Sequence, residues 1–431
     1  MLALFTLTLL AYAAPHADLV EQQVNDANQL LHRGQFQKAE SAYKEILASL
    51  QHLPEDSFLR AKVTNNLGAV YYQMGRLDEA EAAYRKALPV YERLEGRARL
   101  SYASVLNNFA EVQRLRGNFS EAESIYRNAI QVRRNLAPDD PDAAAPLNNL
   151  AVLLNLQSRA KEAEAIAREA LALWEKQGRE SSGVAAACNT LGESLRLQGR
   201  YDEAAVCHRR AVAIRARVLP PDHPEIAAGI SNLGSLLFQQ GNYADAEQHY
   251  LQALAIRRKA VGDKHPGVAF LLNNLGTAQQ LQGRMIEAEN TYRQAIEILE
   301  EVGAAGNTDY AKAVENLATL FLTQEKANAA ETLFLRALRV REKALGSRNP
   351  ALAETYDMLG NFYTNLNRLT EAERYYKRAL DARERTLGPQ SVEVAQSLQR
   401  LATFYSAQRR DVKATEFRKR ADGILRQLAQ P

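Results

Sequence analysis

The tetrad Asn273-Asn274-Leu275-Gly276 returns in altered form from one end of the chain to the other. Its counterparts begin at Asn65, Asn107, Asn148, Asn189, Ser231, Glu315, Asp357 and Gln399, in steps of 41 or 42 residues. Self-similarity at a fixed period of this size means a stack of like units, each packed on its neighbours, so no single central core is to be sought.

One unit, Asn273 to Ile296, defines the rest. Leu272, Leu275, Gly276 and Gln279 fall at helical spacing, and after Gly283 a second stripe runs through Ala288, Tyr292, Ala295 and Ile296. The unit is therefore an antiparallel helix pair with a Gly turn. Gly276, Ala288 and Ala295 let the two backbones approach, while Leu275 and Tyr292 fill the space between them. Neither helix could bury its stripe alone. Counting both ends gives about ten pairs: an all-α solenoid over residues 18–391, closed by a degenerate capping pair over 392–431. That last pair has lost the Gly turn (Arg409-Arg410) and is rich in charge.

Leu67, Gly68, Tyr71, Ala80, Tyr84 and Ala87 match the tetratricopeptide signature at its own spacing, and later repeats do the same. The usual tetratricopeptide unit is about 34 residues. The surplus here sits at the end of the second helix and in the following loop, as in 256–269, 214–227, 340–353 and 382–395. In this the chain resembles the repeats of kinesin light chain. The resemblance implies a right-handed superhelix with the first helix of each pair on the concave side. The loop chemistry agrees independently: Gly262, Gly346 and Gly388 suit helix ends, and Pro224, Pro266 and Pro350 suit first helical turns.

Charge and motifs exclude several functions. With 54 basic and 51 acidic residues, the formal charge of +3 offers no concentrated nucleic-acid footprint. A phosphate loop, a His-Glu-x-x-His motif and a nucleophile elbow are all absent from the sequence. The acid pairs Glu79/Glu81, Glu121/Glu123, Glu162/Glu164 and Glu371/Glu373 recur with the period, which marks the unit rather than an active site, and they open second helices where carboxylates favour the dipole. No enzyme activity and no cofactor are expected. His223 and His265 precede two of the prolines without Cys, Asp or Glu at ligand spacing, so no metal is expected either. His208 stands where most repeats have Tyr or Phe and reads as a satisfied core imidazole. Cys188 takes a core position and reads as a buried free thiol, with Cys207 in the second helix of the same pair. Arg133, Arg215, Arg257, Arg341 and Arg383 recur near second-helix ends. A cation suits that end of the dipole, and a basic stripe meeting acidic ligands is the second reading.

Leu2 to Leu10 are almost wholly apolar, and Ala11-Tyr12-Ala13 has the small-x-small pattern of a signal-peptidase site. Export with loss of about 13 residues is one reading of segment 1–17. The first basic residue is Arg33, however, so the usual positive start is missing, and an N-terminal extension of a cytoplasmic protein is the other. No segment is long and apolar enough to remain in a bilayer as a helix.

The function expected is binding: a scaffold or adaptor for a protein or peptide partner. A regulatory subunit of a separate enzyme and a structural assembly factor are the alternatives. Asn occupies the position two before the Leu at Asn65, Asn107, Asn148, Asn189 and Asn273, and the position just before it at Asn66, Asn108, Asn149, Asn232, Asn274 and Asn316. Asn costs ~0.5–0.7 kcal/mol relative to Ala inside a helix, so the repetition needs a reason. At 100° per residue both positions leave the core stripe. A primary amide donates and accepts, so such a file can pair with the backbone of an extended peptide whatever its side chains. The pattern resembles the asparagine-lined grooves of kinesin light chain and O-GlcNAc transferase, which implies a peptide groove at these eleven residues. Bridging between repeats would impose the same period. Thr190, Met358 and Arg400 break the inner row, which places the groove in the first seven repeats, as far as Asn316.

Overall fold

The structure, a computed structural model, describes residues 19–137, 140–178, 180–345 and 352–428. The segment 1–17 and the loop residues Gly346 and Pro350 lie outside them. Among the described residues every long element is an α-helix, and twenty of them form ten antiparallel pairs.

Five pairs lie in a unit that ends at Leu219. They are α1 (19–32) with α2 (Phe36–Ser49), α3 (Phe58–Gln73) with α4 (Leu77–Glu92), α5 (Leu100–Leu115) with α6 (Phe119–Leu136), α7 (Ala144–Leu156) with α8 (Ala160–Glu175), and α9 (Ser182–Leu197) with α10 (Tyr201–Val218). Five more lie in a unit that starts at Pro220. They are α11 (Pro224–Gln239) with α12 (Tyr243–Val261), α13 (Pro266–Leu281) with α14 (Met285–Glu301), α15 (Thr308–Thr323) with α16 (Ala327–Leu345), α17 (Leu352–Asn365) with α18 (Leu369–Leu387), and α19 (Val392–Ala407) with α20 (Asp411–Leu428). Within each unit every pair packs on the next through its second helix, as α4 does on α5 and α12 on α13. First helices also meet, α3 with α5 and α11 with α13. This is the all-α solenoid expected from the period.

The turn inside each pair is built the same way throughout. A residue in the left-handed region ends the first helix, and the next N–H reaches the carbonyl five residues back. Arg76 N to Tyr71 O is 2.9 Å and Arg284 N to Gln279 O is 3.0 Å. Gly75, Gly117, Gly199, Gly241 and Gly283 supply that residue with φ of 72–80°. Ser158, Glu325, Asn367 and Arg409 adopt it too, with φ of 56–61°. The last pair has thus lost the glycine but kept the turn, at a steric cost of about 1–2 kcal/mol for a residue bearing a Cβ.

Between pairs, Gly262 and Gly388 end α12 and α18 with φ near 80°. His223 and His265 cap the following helices. Their Nδ1 atoms accept the N–H of Glu225 at 3.3 Å and of Gly267 at 2.9 Å. This is the work that places a His before each Pro.

The core repeats one contact. The second-helix Tyr of a pair lies flat on the first-helix Gly, so that a Cβ on Gly68, Gly234, Gly276 or Gly360 would stand 2.6–3.1 Å from the ring of Tyr84, Tyr250, Tyr292 or Tyr376. In the fifth pair Gly192 meets His208, which is 1% exposed. His208 Nδ1 lies 3.2 Å from Asn189 Oδ1, but its Nε2 is buried without a partner. The imidazole is therefore only half satisfied, in contrast to the expectation from sequence. Burial pushes its pKa down from 6.5 to about 4. The neutral ring is the form the fold accepts, so its contribution to stability is whole above pH 6.5. It declines as the unfolded chain takes up a proton that the folded chain refuses, and is lost as the pH falls through about 4. Replacing His208 by Tyr is expected to flatten the fall in melting temperature between pH 7 and pH 4, read by circular dichroism. An unchanged pH slope would mean that other groups govern it.

Cys188 is buried and Cys207 partly so, and both are free thiols. Burial pushes the Cys188 thiol up to about 11, so it is an inert core residue.

Candidate functional site

The first helices carry the amide rows. Asn65 and Asn66 lie on α3, Asn107 and Asn108 on α5, Asn148 and Asn149 on α7, Asn189 on α9, Asn232 on α11, Asn273 and Asn274 on α13, and Asn316 on α15. Asn148 is 9% exposed, and the other ten are half-buried. Several bond across repeats. Asn149 Nδ2 donates to Asn107 Oδ1 at 3.1 Å, Asn316 Nδ2 to Asn273 Oδ1 at 2.8 Å, and Asn66 Nδ2 to Asn28 Oδ1 at 3.1 Å. Bridging is therefore one use of the rows. It occupies one donor of an amide that has two, and one of two acceptor positions on its partner. The two rows differ in depth: the Oδ1 atoms of Asn65 and Asn148 are buried without partners, inaccessible to a ligand.

In the unit that ends at Leu219, a cleft of about 400 Å³ opens on three successive first helices. Tyr72 and Gln73 of α3, Asn107, Asn108 and Glu111 of α5, and Asn149 of α7 line it. Glu111 is its one acid. Burial opposes its ionisation, but Arg114 at 2.5 Å, the Tyr126 hydroxyl at 2.7 Å and the Tyr72 hydroxyl hold the carboxyl below its ordinary value. The cleft is thus lined by amides, a phenol and a neutralised carboxylate, a set that both donates and accepts hydrogen bonds. Glu111 lies one helical turn beyond Asn107, so carrying the amide pattern one turn further along the same face would have found it.

Past Asn316 the surface changes. The row position after Asn273 is Glu315, and the next is Asp357; both are buried. A cleft of about 530 Å³ there is lined by Glu354, Asp357, Met358, Asn361, Arg383 and Arg400 among others, with Asp357 paired to Arg383 at 2.7 Å and also to Arg400.

The arginine row is not an open basic stripe. Arg133 pairs with Asp140 at 2.5 Å, Arg341 with Glu315 at 2.8 Å and Arg383 with Asp357, while Arg215 is buried and engaged. The recurring acids at the starts of second helices are also structural. Glu123 binds Arg127 of its own helix at 2.8 Å and Arg159 of the next turn at 2.6 Å, and Glu164 binds Arg168 and Arg200, each at 2.7 Å. Each such exposed pair is worth about 0–1 kcal/mol; together they link each pair of helices to the next. Among the described residues no cluster of three or more metal-ligating side chains occurs, and no helix is long and apolar enough to cross a membrane.

Family models described as Tetratricopeptide repeat match residues 24–93, 59–135, 101–176 and 225–301, and a second such model matches 184–225, 311–351 and 352–393. No curated protein matches the sequence. Among solved structures, the Rap protein complexed with Competence and Sporulation Factor is similar over 85% of this chain and 98% of its own, at 17% identity and a TM-score of 0.60. The apo quorum sensor NprR from B. thuringiensis is similar over 84% and 98%, at 16% identity and a TM-score of 0.59. A putative kinesin light chain with nearly identical TPR-like repeats from Podosopora anserina covers 47% of this chain and 96% of its own, at 21% identity and a TM-score of 0.41. At these identities the likeness to the Rap protein and NprR is one of fold.

Proposed function

Because the chain belongs to the tetratricopeptide repeat family, we propose that it is a non-catalytic binding scaffold that holds an extended peptide segment against the amide-bearing faces of its first helices. The observation that carries this reading is the cleft lined by Asn107, Asn108 and Asn149. There, amides of successive repeats stand at one open surface with unused donors and acceptors. A peptide laid across them finds partners for its own N–H and C=O groups at the spacing of the repeats. Tyr72 adds apolar contact and a hydroxyl. The Rap protein, similar over most of this chain, is complexed with Competence and Sporulation Factor, and NprR is a quorum sensor. The Rap complex is a precedent for a fold of this kind that receives a partner.

The rows divide the labour. Asn65 and Asn148 face inward with buried oxygens, and bridging by Asn66, Asn149 and Asn316 fixes the stacking of neighbours. The remaining valences of the row before the Leu meet the ligand. Changing Asn108, Asn149, Asn232 and Asn274 to Ala together is expected to weaken capture of peptides from a random-sequence display library at least tenfold, about 1.4 kcal/mol. Helicity should change little, and the melting temperature should fall only by the loss of the Asn149–Asn107 bridge, about 1 kcal/mol. Equal capture per folded molecule, with a lowered melting temperature, would assign these four amides to stacking alone.

A further inference from the structure

Arg257, near the end of α12, differs from the other members of its row in having no ion pair or hydrogen bond to any described residue. The carboxylates that Arg133, Arg341 and Arg383 use have no equivalent around it. Arg341 and Arg383 pair with the acid 26 residues earlier in the chain, Glu315 and Asp357; the residue 26 before Arg257 is the buried Ser231. Arg133 pairs with Asp140, which caps the short 3-10 turn (Pro141–Ala143) before α7, and approaches Asp142 two residues on. The corresponding residues after Arg257 are His265 and Gly267. Arg383 also donates to Ser397, whose counterpart is the buried Leu271. What remains is a half-buried guanidinium lying against the backbone of α13, so close that a Cβ on Gly267 would stand 3.4 Å from its Nε. Burial with no carboxylate to offset it holds Arg257 below its ordinary pKa.

A half-buried cation without a counter-charge is a cost to the folded chain unless something else supplies the charge. Arg133 and Arg341 also leave Nε without a partner, but their Nη groups are paired. Arg257 Nε is buried, but both of its Nη groups lack a partner among the described residues, and together they suit the two oxygens of a carboxylate.

We propose that Arg257 is a carboxylate-binding site that receives an acidic side chain of a peptide bound to the unit that starts at Pro220. The proposal rests on the peptide-scaffold reading and adds to it a charge preference at one place. An amide file reads only the backbone of a peptide, so a lone guanidinium beside it makes the recognition selective. The site lies between α12 and the first turn of α13, whose later turns carry Asn273 and Asn274. Ser231 leaves room where the pairs α15/α16 and α17/α18 hold an internal acid, Glu315 and Asp357.

The test uses the full chain and a short acetylated, amidated peptide of alternating Glu and Ser, against the same peptide with Gln for Glu, followed by fluorescence anisotropy at low salt. The unaltered protein should bind the Glu peptide about tenfold more tightly than the Gln peptide. Arg257→Met should erase that preference and leave binding of the Gln peptide unchanged. Ser231→Glu, which installs the carboxylate that Glu315 supplies at this position in α15, should also erase it while raising the melting temperature. A Glu preference that survives Arg257→Met overturns the proposal. Binding of the Gln peptide that depends on the four asparagines, without any preference for Glu, leaves the scaffold reading intact and defeats only the site at Arg257. Binding of neither peptide defeats both.

Discussion

Replacing Glu315 by Ala lowers the unfolding free energy of the unit that starts at Pro220 by about 3–5 kcal/mol, the expected cost of removing one partner from a buried ion pair. Glu315 is 1% exposed. It accepts from Arg341 Nη2 at 2.8 Å and from Thr355 Oγ1 at 2.8 Å. It therefore ties α15 to the second helix of its own pair and to the first helix of the next. Without the carboxylate, the Arg341 guanidinium is left largely buried and uncompensated, and Thr355 loses its acceptor. Glu315→Gln keeps an acceptor for Thr355 but removes the charge, and its effect should be intermediate. The double variant Glu315→Leu, Arg341→Met should recover most of the loss, because an apolar pair of similar volume avoids the desolvation of both ions. Urea unfolding followed by circular dichroism reads the change, and hydrogen exchange should place it in α15 to α17 first. A loss below about 1 kcal/mol for Glu315→Ala would show that the pair is solvated in solution like a surface bridge.

Tyr292→Ala carries a comparable cost, about 3–5 kcal/mol, because a fully buried ring is removed from a contact that cannot close. The ring lies on Gly276, and its hydroxyl reaches Thr277 at 3.1 Å and Gln280 at 3.0 Å. Two milder variants separate these contributions. Tyr292→Phe keeps the ring and loses the hydroxyl, for about 1 kcal/mol. Gly276→Ala keeps the Tyr and inserts a methyl group 2.8 Å from a ring carbon, for about 1–3 kcal/mol. In a stack whose pairs touch only their neighbours, each of these losses is felt first by α13, α14 and the adjoining helices. If Gly276→Ala proved neutral, the two helices would have to separate more readily than the ring-on-glycine contact implies.

The contact between Tyr292 and Gly276 was legible in the sequence, since each residue recurs at its own place in the period and the small residue stands where the helices cross. So were the Gly turns, the loop prolines Pro224 and Pro266, and the number of pairs. These depend on spacing within one unit, and local backbone geometry converts spacing into position. The N-cap role of His223 and His265 could be argued only as far as excluding a metal, because a helix start must be in place before an imidazole can be seen to accept an N–H from its first turn.

The amide and arginine rows mark the limit. Their period showed that each had a repeated task, but a period is the same whether a side chain turns toward a ligand or toward the next repeat. Asn149 and Asn107 are 42 residues apart, and only the rise and rotation between stacked pairs bring their amides to 3.1 Å. The five arginines look alike along the chain. Their charges are neutralised or left alone according to residues 26 positions earlier or in the next loop, and the fold alone makes these neighbours: Glu315 for Arg341, Asp357 for Arg383, Asp140 for Arg133, and Ser231 for Arg257. The sequence by itself determined the unit and its repetition, because helix periodicity and turn chemistry act within a few residues. The tertiary structure decided which polar groups are spent on stacking and which remain open, because electrostatic and hydrogen-bond pairing act over a few ångströms of space regardless of separation along the chain.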